Sequence, residues 1–403
     1  MSGLTLFTQI PVVSVTRVHQ HVALGGPIWP TFTEQTWVRH YRDRKPWDNK
    51  PDLPERLRPM AGPAVWGGFL DSHFGHFVAD HLPRLAFALQ ERPGDVYLFT
   101  VDPGMTRDRL GPWVWQVFDW IGLPQDKVHL VTEGLYVAQL RVAPQAEMLS
   151  QVPPAQGYLD IVATWARDTI PVATPTLYVS RQDVPQLGGG GHAGETYLVG
   201  LLKRLGVVVL DPAKAEIAQQ MASYAGAERL IFAEGSALHG RQLLAWLPQQ
   251  INVLRRRPDK VMAQAALTPR CARLTYHDVI AGRLMAYWKS GKARPDPALG
   301  LYDVAALFQV FRGFDIDLAA HWNPVAFAGA AREDIAAWIA RQAPSPKQLD
   351  AYRAVLHSLG LAVDGQVDRG PDRRRGQAGQ RAVYDGLQVP CDVAALGNRA
   401  VLR

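Results

Sequence analysis

From Thr176 onward the chain alternates short apolar runs with amphipathic stretches. Thr176 to Val179 is a run of strand-forming residues that ends in Ser180-Arg181, and a glycine-rich loop follows at Gly188 to Gly191. From Glu195, the residues Leu198, Leu201, Leu202 and Leu205 recur at helical spacing, and Gly206 marks the stop. Val207 to Leu210 then reads as a buried parallel strand, and Ala215 to about Ala225 as a helix. A second apolar run, Arg229 to Ala233, breaks off at Glu234-Gly235-Ser236-Ala237-Leu238-His239-Gly240. Strand, helix, strand, helix, strand, turn, helix predicts half of a doubly wound sheet, a fold that binds ligands outside the carboxyl ends of its strands. Arg181 and the turn at Glu234 to Ser236 both fall at such ends.

Upstream the pattern is again α/β. Pro11 to Leu24 alternates apolar and polar positions and predicts one or two strands. Tyr41 to Pro63, rich in proline and charge, reads as a surface loop with freedom to move. Val65 to Phe69 predicts a short strand, and Ser72 is placed to cap the helix after it. That helix carries His73, His76 and Asp80 on one face and meets Pro83, which predicts a kink. Strands are expected at Asp95 to Val101, Val128 to Val131 and Leu135 to Val142, with helices over Met105 to Ile121 and Gly157 to Thr169. Ile170 to Pro175 is the expected hinge, and Ile251 to Leu254 the last strand of the second half. From Leu301 the chain turns helical, with helices near Glu333 to Arg341 and Lys347 to Leu359. Asp364 to Arg381 is too polar to bury. The units expected are 1–170, 171–290, a helical extension 291–362 and a flexible basic tail 363–403.

Composition narrows the partners. A length of 403 residues exceeds one compact core, and 47% hydrophobic with 20% charged residues is ordinary for a globular protein. The net charge of +6 suits an anionic partner. Part of that excess lies in Arg255-Arg256-Arg257 and Arg373-Arg374-Arg375, read as solvated clusters, and no nucleic-acid partner is expected. Cys271 and Cys391 lie far apart and outside metal-ligand spacing, as expected of free thiols in a reducing compartment. No secretory pattern opens the chain and no apolar run is long enough to span a bilayer. A cytoplasmic protein is expected, with peripheral attachment to the inner membrane left open.

Gly188 to Gly191 is neither a Walker A loop nor a dinucleotide fingerprint. It reads as a connector or, beside Arg181, as a mobile lid over a diphosphate. Arg181 either clamps phosphate oxygens or pairs with an acid such as Asp183. The small residues after Glu234 either bring backbone N–H groups close to an anion or serve tight strand–helix packing. His73, His76 and Asp80 admit three readings: metal ligands without an evident fourth, a pair that only fixes the fold, or catalysis. In the last, Asp80 takes the proton itself or orients His76. Trp113, Trp115 and Trp120 are expected in the core.

Two stretches resemble glycosyltransferase family 61. One is Leu177 to Arg181 ("LYVSR") with Glu195, Gly206 to Leu210, Gln219-Gln220 and Gly235 to Ala237. The other is Ser72 to Arg84, which looks like the family's N-x-x-H-F-x-x-D-x-L-P-R helix in its His76-Phe77, Asp80 and Leu82-Pro83-Arg84, with His73 at the first position. The resemblance implies two facing Rossmann-like α/β domains, the GT-B type. It also implies inverting, metal-independent hexosyl or pentosyl transfer from a nucleotide sugar, UDP-linked by analogy, to a glycan or polysaccharide acceptor, as in bacterial capsule assembly. No cofactor beyond that co-substrate is implied. His76 and Asp80 take the catalytic positions, and Arg181, Glu195, Glu234, Gly235, Ser236, Ala237, Leu238 and His239 the nucleotide-sugar positions. Many members carry His where Glu234 stands, so this position departs from the commoner pattern; a carboxylate here suits sugar hydroxyls better than phosphate. Two other classes remain open: another sugar-nucleotide enzyme such as an epimerase or hydrolase, and a non-catalytic scaffold for polysaccharide assembly.

Overall fold

The computed structural model describes residues 3–19, 22–33, 38–42, 45–70, 73–149, 152–288 and 290–361. Ser72, Cys391, the 373–375 arginines and the expected flexible tail therefore lie outside the described residues. The remainder is a mixed α/β fold with two principal sheets. The first has seven strands, in the order Asp48–Asn49, Val22–Pro27, Thr5–His19, Leu135–Val142, Arg58–Phe69, Val96–Thr100 and Val128–Val131. Its last four strands run parallel, and Thr5–His19 pairs antiparallel with both its neighbours.

The second sheet is wholly parallel, in the order Val208–Leu210, Thr174–Val179, Ala227–Ala233, Leu247–Arg255, Cys271–Asp278. Its register sets up the site. Val179 pairs with Phe232, and Phe232 with Val253. Two residues further along each strand, Arg181, Glu234 and Arg255 therefore leave the sheet side by side, as the period of a parallel ladder requires.

Several expectations are corrected. Val208–Leu210 is an edge strand with Val208 half exposed, so its apolar run did not imply burial on both faces. Ile251 to Leu254 does not close the sheet, because Cys271–Asp278 pairs beyond it. Tyr41 to Pro63 is not a free surface loop. It contains short paired strands at Tyr41–Arg42, Lys45–Pro46 and Asp48–Asn49, the buried Trp47 and Asp48, and the start of the Arg58–Phe69 strand. The hinge at Ile170 to Pro175 is tied down, since Val172 N–H donates to the Ala222 carbonyl (3.0 Å) and Thr174 already begins a strand.

The two layers also share one apolar cluster. Phe77, Leu85 and Phe118 from the first half pack in the same cluster as Leu177, Tyr224 and Phe232 from the second. At these residues the halves are in direct contact, through side chains that gain roughly 1.5–3 kcal/mol each from burial. Trp113, Trp115 and Trp120 pack against this cluster, as expected.

Beyond Asp278 the strands Ile280–Tyr287 and Ala293–Tyr302 pair antiparallel, and His192–Ala193 joins the latter. Helices Val304–Arg312, Pro324–Gln342 and Pro346–Ser358 complete the described chain. The last two start where Asn323 and Ser345 cap them and proline occupies the first turn. The expected helical extension therefore includes a hairpin that the alanine- and glycine-rich sequence did not announce. No helix among the described residues is long and apolar enough to cross a membrane.

Candidate active site

The carboxyl edge of the parallel sheet is built from arginines around one carboxylate. Glu234 is fully buried (0% exposed). Its Oε2 accepts from the backbone N–H groups of Arg256 (2.8 Å) and Arg257 (3.0 Å), and its Oε1 accepts from Arg257 Nε (2.7 Å). Burial alone would raise this carboxyl, but Arg257, Arg256 and the backbone bond outweigh it and hold the group below its usual range. Arg257 also reaches Asp296 (2.7 Å), and Arg256 donates to the carbonyls of Glu234, Asp296 and Ala298. Burial and the neighbouring Arg257 and Arg181 charges push Arg256 down to about 9, so it keeps its charge at neutral pH.

Arg181 stands beside this group. Its Nε and Nη2 donate to the Gly190 carbonyl (3.2 and 2.9 Å), and its backbone N–H donates to Glu195 Oε1 (2.8 Å). The side chain packs directly against Gly235, where any Cβ would run into Cζ and Nη1. Only glycine lets the turn approach this closely. Arg181 and the turn at 235, far apart in sequence, are therefore in contact. The surface pair with Asp183 does not form, because Asp183 binds Lys214 instead (2.5 Å).

Glu195 is also fully buried, and accepts from Tyr178 OH (2.9 Å) as well as from Arg181. Burial pushes it up to about 7. Its bonds position the start of the Arg181 segment. The glycine loop is held, not free: Gln342 Nε2 donates to the Gly188 carbonyl (2.8 Å), and Gly300 N–H to that of Gly191 (2.9 Å). The lid reading gives way to a loop clamped between Arg181 and the Pro324–Gln342 helix.

The histidine segment is a continuous helical run of changing pitch. A short α turn at Phe74–His76 opens into a π turn at Phe77–His81, tightens to 3-10 at Leu82–Arg84, and continues as α over Leu85–Glu91. In a regular helix the Pro83 ring would meet the carbonyl of residue 79. The wider turn absorbs that clash, so the proline changes the pitch without breaking the helix. π turns recur at functional sites. Arg84 is buried, stacks on Trp66 (4.7 Å), donates to the carbonyls of Ala143 and Arg39 and lies within reach of the Asp48 charge.

Asp80 is fully buried, while the His76 side chain keeps 37% of its surface exposed. Asp80 Oδ2 accepts from Arg42 Nε (2.6 Å) and lies 3.8 Å from His76 Nδ1; Oδ1 accepts from Leu149 N–H (2.8 Å). Burial opposes the charge, but His76 and Arg42 hold this carboxyl well below the usual range. Arg42 stacks on Trp47 (4.1 Å) and brings Nη2 to 3.4 Å from His76 Nδ1. Behind Asp80, the buried rings of His40 and His81 stack at 4.7 Å.

The two groups meet at Gly75. A Cβ there would sit 2.9 Å from His239 Cδ2, 3.3 Å from His73 Cε1 and 3.3 Å from Ser236 Cβ. His239 is buried, and burial pushes it down to about 4. It is neutral at physiological pH and bonds Gln242 Oε1 through Nδ1 (2.6 Å). Ala237 and Leu238 are buried in the short helix that carries His239.

Arg42, Arg256 and Arg257 were missed by the sequence reading, which placed the first in a loop and the others in a solvated cluster. One signal was present: Arg256 follows the apolar run Ile251 to Leu254 as Arg181 follows Leu177 to Val179, a cation at the end of a buried parallel strand. Arg42 had no comparable mark. Among the described residues, no group of three or more His, Cys, Asp or Glu is arranged to hold a metal ion.

No curated protein matches the chain. The family model described as Glycosyltransferase 61 matches residues 74–245, a span that runs from the histidine helix through Arg181 to the turn at Gly235. The chain thus carries a glycosyltransferase 61 domain, and both halves of the candidate site lie within or against it.

Proposed function

We propose that this chain is an inverting glycosyltransferase of GT-B arrangement that moves a sugar from a nucleotide sugar, UDP-linked, to a glycan acceptor. The observation that carries this reading is the convergence at Gly75, which brings the start of the helix that bears His76 and Asp80 against Ser236 and His239. Arg181 backs onto the other side of that turn at Gly235. In the reaction, the acceptor hydroxyl oxygen bonds to the anomeric carbon as the bond to the diphosphate oxygen breaks. His76, the exposed member of the pair, takes the hydroxyl proton, and the buried Asp80 carboxylate stabilises the resulting imidazolium. Arg181, fixed by Gly190 before substrate arrives, faces the charge that grows on the departing diphosphate, and such preorganised charge lowers the barrier. Glu195 and Glu234 act behind this surface, Glu195 by holding the Arg181 backbone and Glu234 by ordering Arg256 and Arg257.

Arg181→Ala removes a charge-assisted contact worth about 1.5–3 kcal/mol, which is roughly a 10- to 100-fold loss of UDP affinity. Gly235→Ala should weaken UDP binding as well, because the added methyl displaces the same guanidinium. Calorimetric titration with UDP reads both, and an affinity unchanged in Arg181→Ala refutes the assignment. A thermal-shift screen of UDP, GDP, CMP and dTDP sugars checks the choice of nucleotide.

A further inference from the structure

Arg42 reaches the candidate site from a segment whose sequence reads as a surface loop, and it makes two contacts of different kinds. Its Nε bonds Asp80 Oδ2 at 2.6 Å, and its Nη2 lies 3.4 Å from His76 Nδ1. Its side chain is largely buried and held against the Trp47 ring at 4.1 Å. A guanidinium has only donors and no lone pair. A ring nitrogen that meets one must therefore present its own lone pair. The same Nδ1 lies 3.8 Å from Asp80 Oδ2, a pure acceptor that would favour an N–H at that position. One nitrogen cannot satisfy both neighbours, and the guanidinium is the nearer. Arg42 Nε and Leu149 N–H already give each Asp80 oxygen a donor, so the charged carboxylate does not depend on a proton at Nδ1.

We infer that Arg42 is a positioning residue that sets the tautomer of His76, keeping the proton on Nε2 in the unliganded protein. The inference rests on the reading of His76 as the proton acceptor and deepens it. With Nδ1 turned to Arg42, neutral His76 shows its outer side an N–H and no lone pair, so it accepts no proton there. Once Nη2 releases Nδ1, the proton moves to Nδ1 and donates to Asp80, and the Nε2 lone pair is exposed. Asp80 is suited to both states because Arg42 Nε and Leu149 N–H keep it charged throughout. The arrangement masks the base until substrate turns Nη2 away from Nδ1 while Nε stays on Asp80, which limits attack by water on the bound donor.

Arg42→Lys tests this directly. An ammonium still neutralises Asp80, so the buried carboxylate keeps a counterion, but a single nitrogen does not bridge to His76. Ring 15N spectra of the full-length protein in alkaline buffer report which nitrogen of His76 is unprotonated, with a His76→Ala sample for assignment. The expected result is an unprotonated Nδ1 in the wild type and an unprotonated Nε2 in Arg42→Lys, with unchanged UDP affinity and several-fold faster hydrolysis of the donor without acceptor. Arg42→Met, screened for folding by its melting curve, should show the same tautomer as Arg42→Lys. The same tautomer in wild type and Arg42→Lys overturns the inference. A tautomer that switches while neither protein transfers or hydrolyses the donor upholds the role of Arg42 and sinks the glycosyltransferase reading instead.

Discussion

His76→Ala is expected to lower sugar transfer by about 10²–10⁴-fold, the usual contribution of a positioned general base, and to leave UDP affinity unchanged. The substitution is clean because the side chain is 37% exposed and its loss leaves no buried group without a partner: Asp80 keeps Arg42 and Leu149. Asp80→Asn is a poorer probe of the same chemistry. It replaces an acceptor facing Arg42 Nε with an amide that offers only one oxygen for two donors, so lost activity would mix catalysis with a disturbed fold. Initial rates with a labelled donor, paired with calorimetry, separate chemistry from binding. Wild-type turnover by His76→Ala, with the fold intact, would refute the base role of His76. Absence of transfer by wild type and variant alike would leave the non-catalytic scaffold as the better reading.

The second large effect is on stability. Glu234→Ala removes the acceptor of two buried backbone N–H groups and the partner of the Arg257 guanidinium. Breaking a buried pair from one side costs about 3–5 kcal/mol, because the charge left behind stays desolvated. Urea unfolding should show that loss, and Glu234→Gln, which keeps one acceptor oxygen, should recover part of it. The sign of the pH dependence follows from the depressed carboxyl of Glu234. Its contribution is fully present above the unfolded carboxyl range and is lost as pH falls through the lower folded value. Acid unfolding of Glu234→Ala should therefore lose part of the wild-type dependence on pH. A change below about 1 kcal/mol at neutral pH would mean that Arg257 is adequately held by Asp296 alone.

The difference between these probes reflects what each residue touches. His76 and Arg181 are held in place by others and leave part of their surface free. Glu195, Glu234 and Asp80 are fully enclosed and act on neighbours. The Glu234 carboxylate fits this division. A buried acid at this strand end gathers the two arginines that leave the adjacent strand.

Local pattern in the chain determined much of this protein by itself. The strand Leu135–Val142 and the helix that starts at Glu195 appear where periodicity and glycine placed them, because those signals act within a few residues. The two stretches that resemble glycosyltransferase family 61 were likewise legible, since each short piece of them sits on one strand end, one turn or one helix. Tertiary structure alone decided what burial and pairing impose at long range. It placed Val208 on an edge, added Cys271–Asp278 to the sheet, and folded Ile280–Tyr287 into a hairpin despite weak strand-forming composition. It also carried Arg42 onto Asp80 across 38 positions and buried two of three consecutive arginines around Glu234. A charge run looks the same in sequence whether water or a carboxylate faces it. Only the fold supplies the partner, and the cost of burying a charge without one ensures that the partner is there.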